Sequence, residues 1–144
     1  MPALQPYDSN AVSVALGGRA IDGGRAAGKF VSTAFESEMF KTTPTADGPV
    51  VRSKINNESA TITLTVMQTS PAHALLTELY AAARASVNGN DIMAFEIRDL
   101  NGGGLRESAA RCWIEKAPDN DYGAEAGERE WTLKTDRLVR AVGT

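Results

Sequence analysis

Ala60-Thr61-Ile62-Thr63-Leu64-Thr65-Val66-Met67 is the stretch that decides the fold. Apolar side chains and threonines alternate through it, so Ile62, Leu64 and Val66 share one face and Thr61, Thr63 and Thr65 the other. Successive side chains of a strand point to opposite faces, and branched residues suit a half-buried pleated surface. The stretch predicts a strand with one side in a core and the other in water, as antiparallel sheets have.

The period changes just downstream. Ser70 supplies a capping hydroxyl and Pro71 occupies the first helical position, where its missing N–H is not needed. Leu75, Leu76, Leu79 and Ala83 then recur at helical spacing, and Asn88-Gly89-Asn90 gives a stop. One helix of about four turns is expected over about 70–86.

Strand signals surround this pair. Val12, Val14 and Leu16 alternate up to Gly17-Gly18, Arg19 to Asp22 continues after that turn, and Lys29 to Phe35 reads as a returning strand. Met93, Phe95 and Ile97 alternate after the helix, and Asn101-Gly102-Gly103-Gly104 is the next turn. Ala109 to Lys116 places Cys112 and Ile114 on one parity. A polar loop, Pro118 to Gly127, precedes a last strand from Glu128 to Val139, with Trp131, Leu133 and Val139 on the parity of Arg129, Thr135 and Arg137. Lys41 to Pro49 holds two prolines and Asp47-Gly48, so it reads as a loop or the tip of a long hairpin, with Val50 to Ile55 leading back into strand. Six to eight strands and one helix are expected, without internal repeat.

Bulk properties set the class. The 144 residues suit one domain, with residues 1–10 as an N-terminal arm; 42% are hydrophobic and 23% charged, as in a globular protein. A net charge of −3 disfavours a phosphate-gripping surface. Cys112 is the single cysteine, so no internal disulfide forms. The start, MPALQPYDSN, has neither a basic region nor an apolar run, so no secretory signal is expected, and no stretch has the length of a membrane span. The Asn57-Glu58-Ser59 sequon is accordingly discounted, and assembly in a cytoplasm is expected.

Chemical motifs are decoys on this reading. Gly23-Gly24-Arg25-Ala26-Ala27-Gly28-Lys29 satisfies the phosphate-loop spacing, but Phe30 stands where a Mg²⁺-binding hydroxyl belongs and a strand follows where a helix is needed. His73 is the only histidine and lies in the helix's first turn, which leaves a satisfied histidine as the reading over a metal ligand or triad member. Cys112 has no CxxC partner and reads as a buried thiol. Asp119, Asp121, Glu125, Glu128 and Glu130 miss the calcium-loop pattern and read as a solvated acidic loop. Neither catalytic residue, cofactor nor metal is expected.

Several segments in order resemble a known family: VSVALGGRAIDG from Val12 to Gly23, SATITLTVMQTSP from Ser59 to Pro71, Cys112-Trp113-Ile114-Glu115-Lys116-Ala117-Pro118, and Arg129-Glu130-Trp131. With Asp47-Gly48 and Arg52 in the intervening loop, they are similar to tail tube proteins of contractile-tailed phages, related in turn to the ring-forming tube protein of type VI secretion. The resemblance implies a mainly β fold: two packed antiparallel sheets, a β-sandwich or barrel, with one flanking helix. It implies a structural, non-enzymatic virion protein whose six-membered rings stack helically into the rigid inner tail tube. Partners implied are other copies of the chain, the tail sheath protein, a baseplate initiator, a tail terminator, and, in the lumen, the tape measure protein and DNA.

On that resemblance Lys41, Thr42, Thr43, Pro44, Asp47, Gly48, Arg52 and Lys54 become candidate contacts between subunits. The free subunit is expected to be monomeric, with the arm and residues 41–54 ordering on stacking. The alternatives are a tailocin or secretion-system tube subunit and, from another class, a monomeric ligand-binding β-barrel.

Overall fold

A computed structural model describes residues 7–21, 24–26, 28–87, 92–101 and 104–142. The expected stop at Asn88-Gly89-Asn90, the turn residues Gly102 and Gly103, and the first six residues of the arm lie outside this set. Among the described residues there are ten strands and one α-helix: β1 (Val12–Leu16), β2 (Arg19–Ala20), β3 (Val31–Phe35), β4 (Phe40–Pro44), β5 (Val50–Lys54), β6 (Ala60–Met67), α1 (Pro71–Ala85), β7 (Met93–Asp99), β8 (Leu105–Lys116), β9 (Glu128–Thr135) and β10 (Val139–Val142). The fold is mainly β, a sandwich with one flanking helix.

All pairings are antiparallel. The main sheet runs β2-β1-β7-β8-β9-β6-β3, with β10 also on β8, and β4 and β5 form a separate two-stranded sheet. β8 links the two layers. Its first half, Leu105–Ser108, pairs with β10, while Cys112–Lys116 pairs with β9 along the same edge. Bulges interrupt β8 on both sides, between Met93 and Phe95 of β7 and between Ile114 and Lys116 against β9. A bulge bends and twists its strand, which turns β1 and β7 to face β6 and β9. Val12, Val14, Leu16, Phe95 and Ile97 from one layer thereby share a core with Ile62, Leu64, Val66, Trp131 and Leu133 from the other.

β6 is strictly alternating, with every second residue from Ala60 to Val66 buried. Each large apolar side chain so buried contributes about 1.5–3 kcal/mol, and a one-residue slip would turn all of them outward. The returning strand differs from expectation: β3 pairs with β6, Val31 opposite Leu64 and Phe35 opposite Ala60, instead of folding back on β1. The hairpin partner of β1 is β2, closed by Gly17 and Gly18 at φ 61° and 80°, the left-handed pair a tight hairpin needs, while β7 takes its other edge. The expected last strand is two strands. Thr135, buried, donates to the Arg111 carbonyl and accepts from the Arg137 amide, and this bend sends β10 across to β8. Val139 is therefore exposed, and Leu138 takes the buried place beside the core.

α1 begins as its sequence predicts, Ser70 Oγ accepting from the His73 amide at 3.1 Å with Pro71 at the first helical position. Ala72 and Leu76 are buried, while Leu75, Leu79 and Tyr80 pack at the margin of the core. Trp131, 2% exposed, anchors the helix. Its indole N–H donates to His73 Nδ1 at 3.2 Å, and the Tyr80 ring meets it edge-on at 6.2 Å. This bond requires Nδ1 without a proton. Burial, then the nearby Arg129 guanidinium, hold the His73 pKa below its ordinary 6.5.

Gly24 is needed where the β2–β3 connection crosses the end of β6. Its carbonyl accepts from the Met67 amide, its φ is 88°, and an added Cβ would lie 2.2 Å from the Ser70 Cβ. Gly24→Ala should cost at least about 1–3 kcal/mol from backbone strain, read as a drop of roughly 1 M in the urea midpoint. For His73, the unfolded chain takes up a proton as pH falls past about 6.5 while the folded chain resists it. Its contribution is therefore complete above that pH and lost on acidification. Urea titrations from pH 8 to pH 5 should show this loss, and His73→Gln should remove that part of the pH dependence.

Candidate assembly surfaces

The eight residues singled out from the sequence fall on or beside one element, the β4–β5 hairpin. Lys41 lies opposite Ser53, Thr42 opposite Arg52, Thr43 opposite Val51, Pro44 opposite Val50, and Phe40 opposite Lys54. Pro44 ends its strand in a two-stranded ribbon with a free edge, so its missing N–H removes no necessary ladder bond. Asp47 and Gly48 form the tip. Gly48 takes φ 101°, its amide donates to the Thr45 carbonyl, and the Thr45 amide donates to the Pro49 carbonyl.

The hairpin stands away from the sandwich. Nine of its ten strand residues are exposed, the exception being half-buried Phe40, over whose ring the Arg52 guanidinium lies 4.3 Å from the centroid. Val50 and Val51 are 59% and 51% exposed, and Met39 at the base 67%. At the base the Ile55 amide donates to the Met39 carbonyl at 2.9 Å, extending the ladder by one rung. Sequence reasoning found the turn and the prolines here but had no signal for the detachment, since exposure on both faces leaves no periodicity.

Among the described residues, three further strand edges are open. β2 and β3 end the main path, and β10 has all four residues exposed. β10 approaches β3 through side chains: Arg140 Nη2 donates to the Thr33 carbonyl at 3.1 Å and to its hydroxyl at 2.9 Å, while that hydroxyl donates to Glu107 at 2.7 Å. No backbone ladder joins these two strands among the described residues, so both keep unpaired peptide groups facing outward.

The residues of the motif-like segments take the following places in the fold. Arg25 bridges Val66, the Ala26 amide donates to the Thr65 carbonyl, and Phe30 accepts from the Thr65 amide just before β3, where a phosphate loop would need a helix. Gly23 and Ala27 of that motif lie outside the described residues. Burial pushes the Cys112 thiol up to about 12, leaving it protonated at neutral pH. Among the acidic loop residues, Asp121 accepts from Arg129, whose side chain is 2% exposed and also donates to Gln68 and to the Asp121 and Glu128 carbonyls. A buried guanidinium on the Trp131 face of β9 needs all of these acceptors. A cleft of about 310 Å³ beside it is lined by His73, Tyr80, Tyr122, Arg129 and Trp131, but its His73 and Arg129 are already partnered within the chain.

Comparison with known proteins follows the same lines. No curated protein sequence matches the chain. Among solved structures, the cap that terminates the tube of the anti-feeding prophage is similar over 99% of this chain and 95% of its own, with TM-score 0.63 and 16% identity. The sheath/tube terminator of an extracellular contractile injection system, PVC, in the extended state is similar over 97% and 99%, with TM-score 0.66 and 14% identity. A chain of the PVC sheath–tube complex is similar over 95% and 92%, with TM-score 0.63 and 17% identity. These likenesses are of fold. The family described as Bacteriophage PhiTE tail tube protein matches residues 7–143, from the end of the arm through β10. The chain belongs to that family of structural phage tail proteins.

Proposed function

We propose that the chain is the repeating subunit of the inner tube of a contractile phage tail. Six copies close a ring, rings stack helically, and the tail sheath protein surrounds the stack. A baseplate initiator starts the tube and a tail terminator ends it, while the tape measure protein and then DNA occupy the lumen. The subunit is made in the host cytoplasm and ends in the virion, acting as a wall and not as an enzyme.

The β4–β5 hairpin carries this reading. An isolated two-stranded hairpin is marginal in water, and this one receives almost nothing from its own domain. A neighbouring copy supplies the missing packing, and repeated head-to-tail contact of that kind generates rings or helical stacks. The open edges of β3 and β10 suit the same role, since pairing with an identical neighbour removes an aggregation hazard. The likeness to tube-terminating proteins favours a second reading, in which the chain forms one ring that ends a tube.

Negative-stain microscopy of the concentrated protein is expected to show hollow rings and stacked tubes wide enough for duplex DNA. Single rings that never stack would favour the terminator. Deleting residues 42 to 50 leaves Val51 and Arg52 as a two-residue loop between paired Lys41 and Ser53. That variant should keep its circular dichroism and lose stacking; normal tubes from it would overturn the role given to the hairpin.

A further inference from the structure

Charge is divided unevenly between the hairpin and the rest of the chain. Residues 40–54 hold three cations, Lys41, Arg52 and Lys54, against one anion, Asp47, for a net +2. The whole chain is −3, which leaves −5 outside the hairpin. Among the described residues, none of the three hairpin cations enters an ion pair, although Arg140, Arg137, Arg129, Arg111 and Lys134 all do.

A groove of about 400 Å³ lies on the opposite kind of surface, between the 117–121 segment and the outer face of β9. Asp119, Asp121, Glu128 and Glu130 line it, with Ala117 and Pro118 half-buried beside them. Lys116 takes Asp119 at 3.9 Å and Arg129 takes Asp121 at 3.3 Å, but Glu128 and Glu130 have no ion-pair partner among the described residues. Both are exposed and share the outer parity of β9, because Arg129 and Trp131 occupy the inner one.

We propose that the β4–β5 hairpin of one copy docks in this groove of another, Arg52 and Lys54 pairing with Glu128 and Glu130. This assignment rests on the reading of the hairpin as an inter-subunit element and names its receptor. The spacing matches. Arg52 and Lys54 are two residues apart on one face of β5, Glu128 and Glu130 two apart on one face of β9, and each pair is separated by about 6.7 Å of strand rise. Val50, 59% exposed, lies on the same hairpin face as Arg52 and Lys54, where Ala117 and Pro118 offer it apolar contact, and Phe40 on that face supports the Arg52 guanidinium. A duplex also attracts cations, but a phosphate backbone gives the exposed Val50 nothing to pack on. The body's −5 favours a second copy as the occupant.

The test is a charge exchange in the full chain, with rings and tubes read by microscopy and pelleting at about 0.1 M salt, where the Debye length is about 10 Å. R52E/K54E and E128K/E130R should each lose at least about tenfold of the pelletable polymer, a change of ~1.4 kcal/mol or more. The chain carrying all four changes should recover it. Should a reversal unfold the domain by circular dichroism, R52Q/K54Q and E128Q/E130Q replace it, and both should weaken assembly while flattening its salt dependence. Loss with the hairpin pair but normal tubes with the groove pair overturns the receptor assignment and leaves the hairpin reading standing. Normal tubes from the hairpin pair overturn both. Failure of the folded four-change chain to recover, or loss of duplex binding with assembly intact, also overturns the docking proposed here.

Discussion

The alternation of β6 is the constraint on which the rest depends. Ile62, Leu64 and Val66 all lie at 1% exposure or less, and the strand is paired along its whole length with β9 and over five residues with β3. Because its period is two, those burials rule out a one-residue slip from the observed register. That register places Trp131 opposite Leu64 and Leu133 opposite Ile62, and so builds the floor on which α1 rests. Ser70, three residues past the strand, then caps the helix at the height where Trp131 can reach His73. The central strand and the start of the helix follow from eleven consecutive residues, and His73 and Trp131 supply their contact.

The same local character explains what was legible in the sequence. β6 and α1 announce themselves because one face of each is buried and the other is wet. The partner of β3 was not legible, since alternation says that a residue pairs but not with what. The bend at Thr135 was equally hidden: it depends on the Arg111 carbonyl, contributed by a distant part of β8. Arg129 shares the parity of Trp131 and Leu133, yet only the folded positions of Asp121 and Gln68 reveal that its charge is tolerated inside. Prolines and Asp47-Gly48 marked the 41–54 segment as a turn, and its register and isolation came from the structure.

The domain is well packed inside and unfinished outside. No buried side-chain nitrogen or oxygen among the described residues lacks a hydrogen-bond partner, so the core asks for nothing more. The hairpin and the open edges of β3 and β10 do ask for more: exposed valines, cations outside any ion pair among the described residues, and unpaired peptide groups. Such features are a liability on a lone globular protein and an asset in a closed assembly. The division fits a subunit whose fold is completed by its own copies.

Copy number in purified tail particles tests the central claim most directly. A tube wall requires this chain in many rings along the particle, so quantitative mass spectrometry should find far more copies than one ring holds, rising with tail length. A count equal to a single ring, or absence from intact particles, would contradict the account.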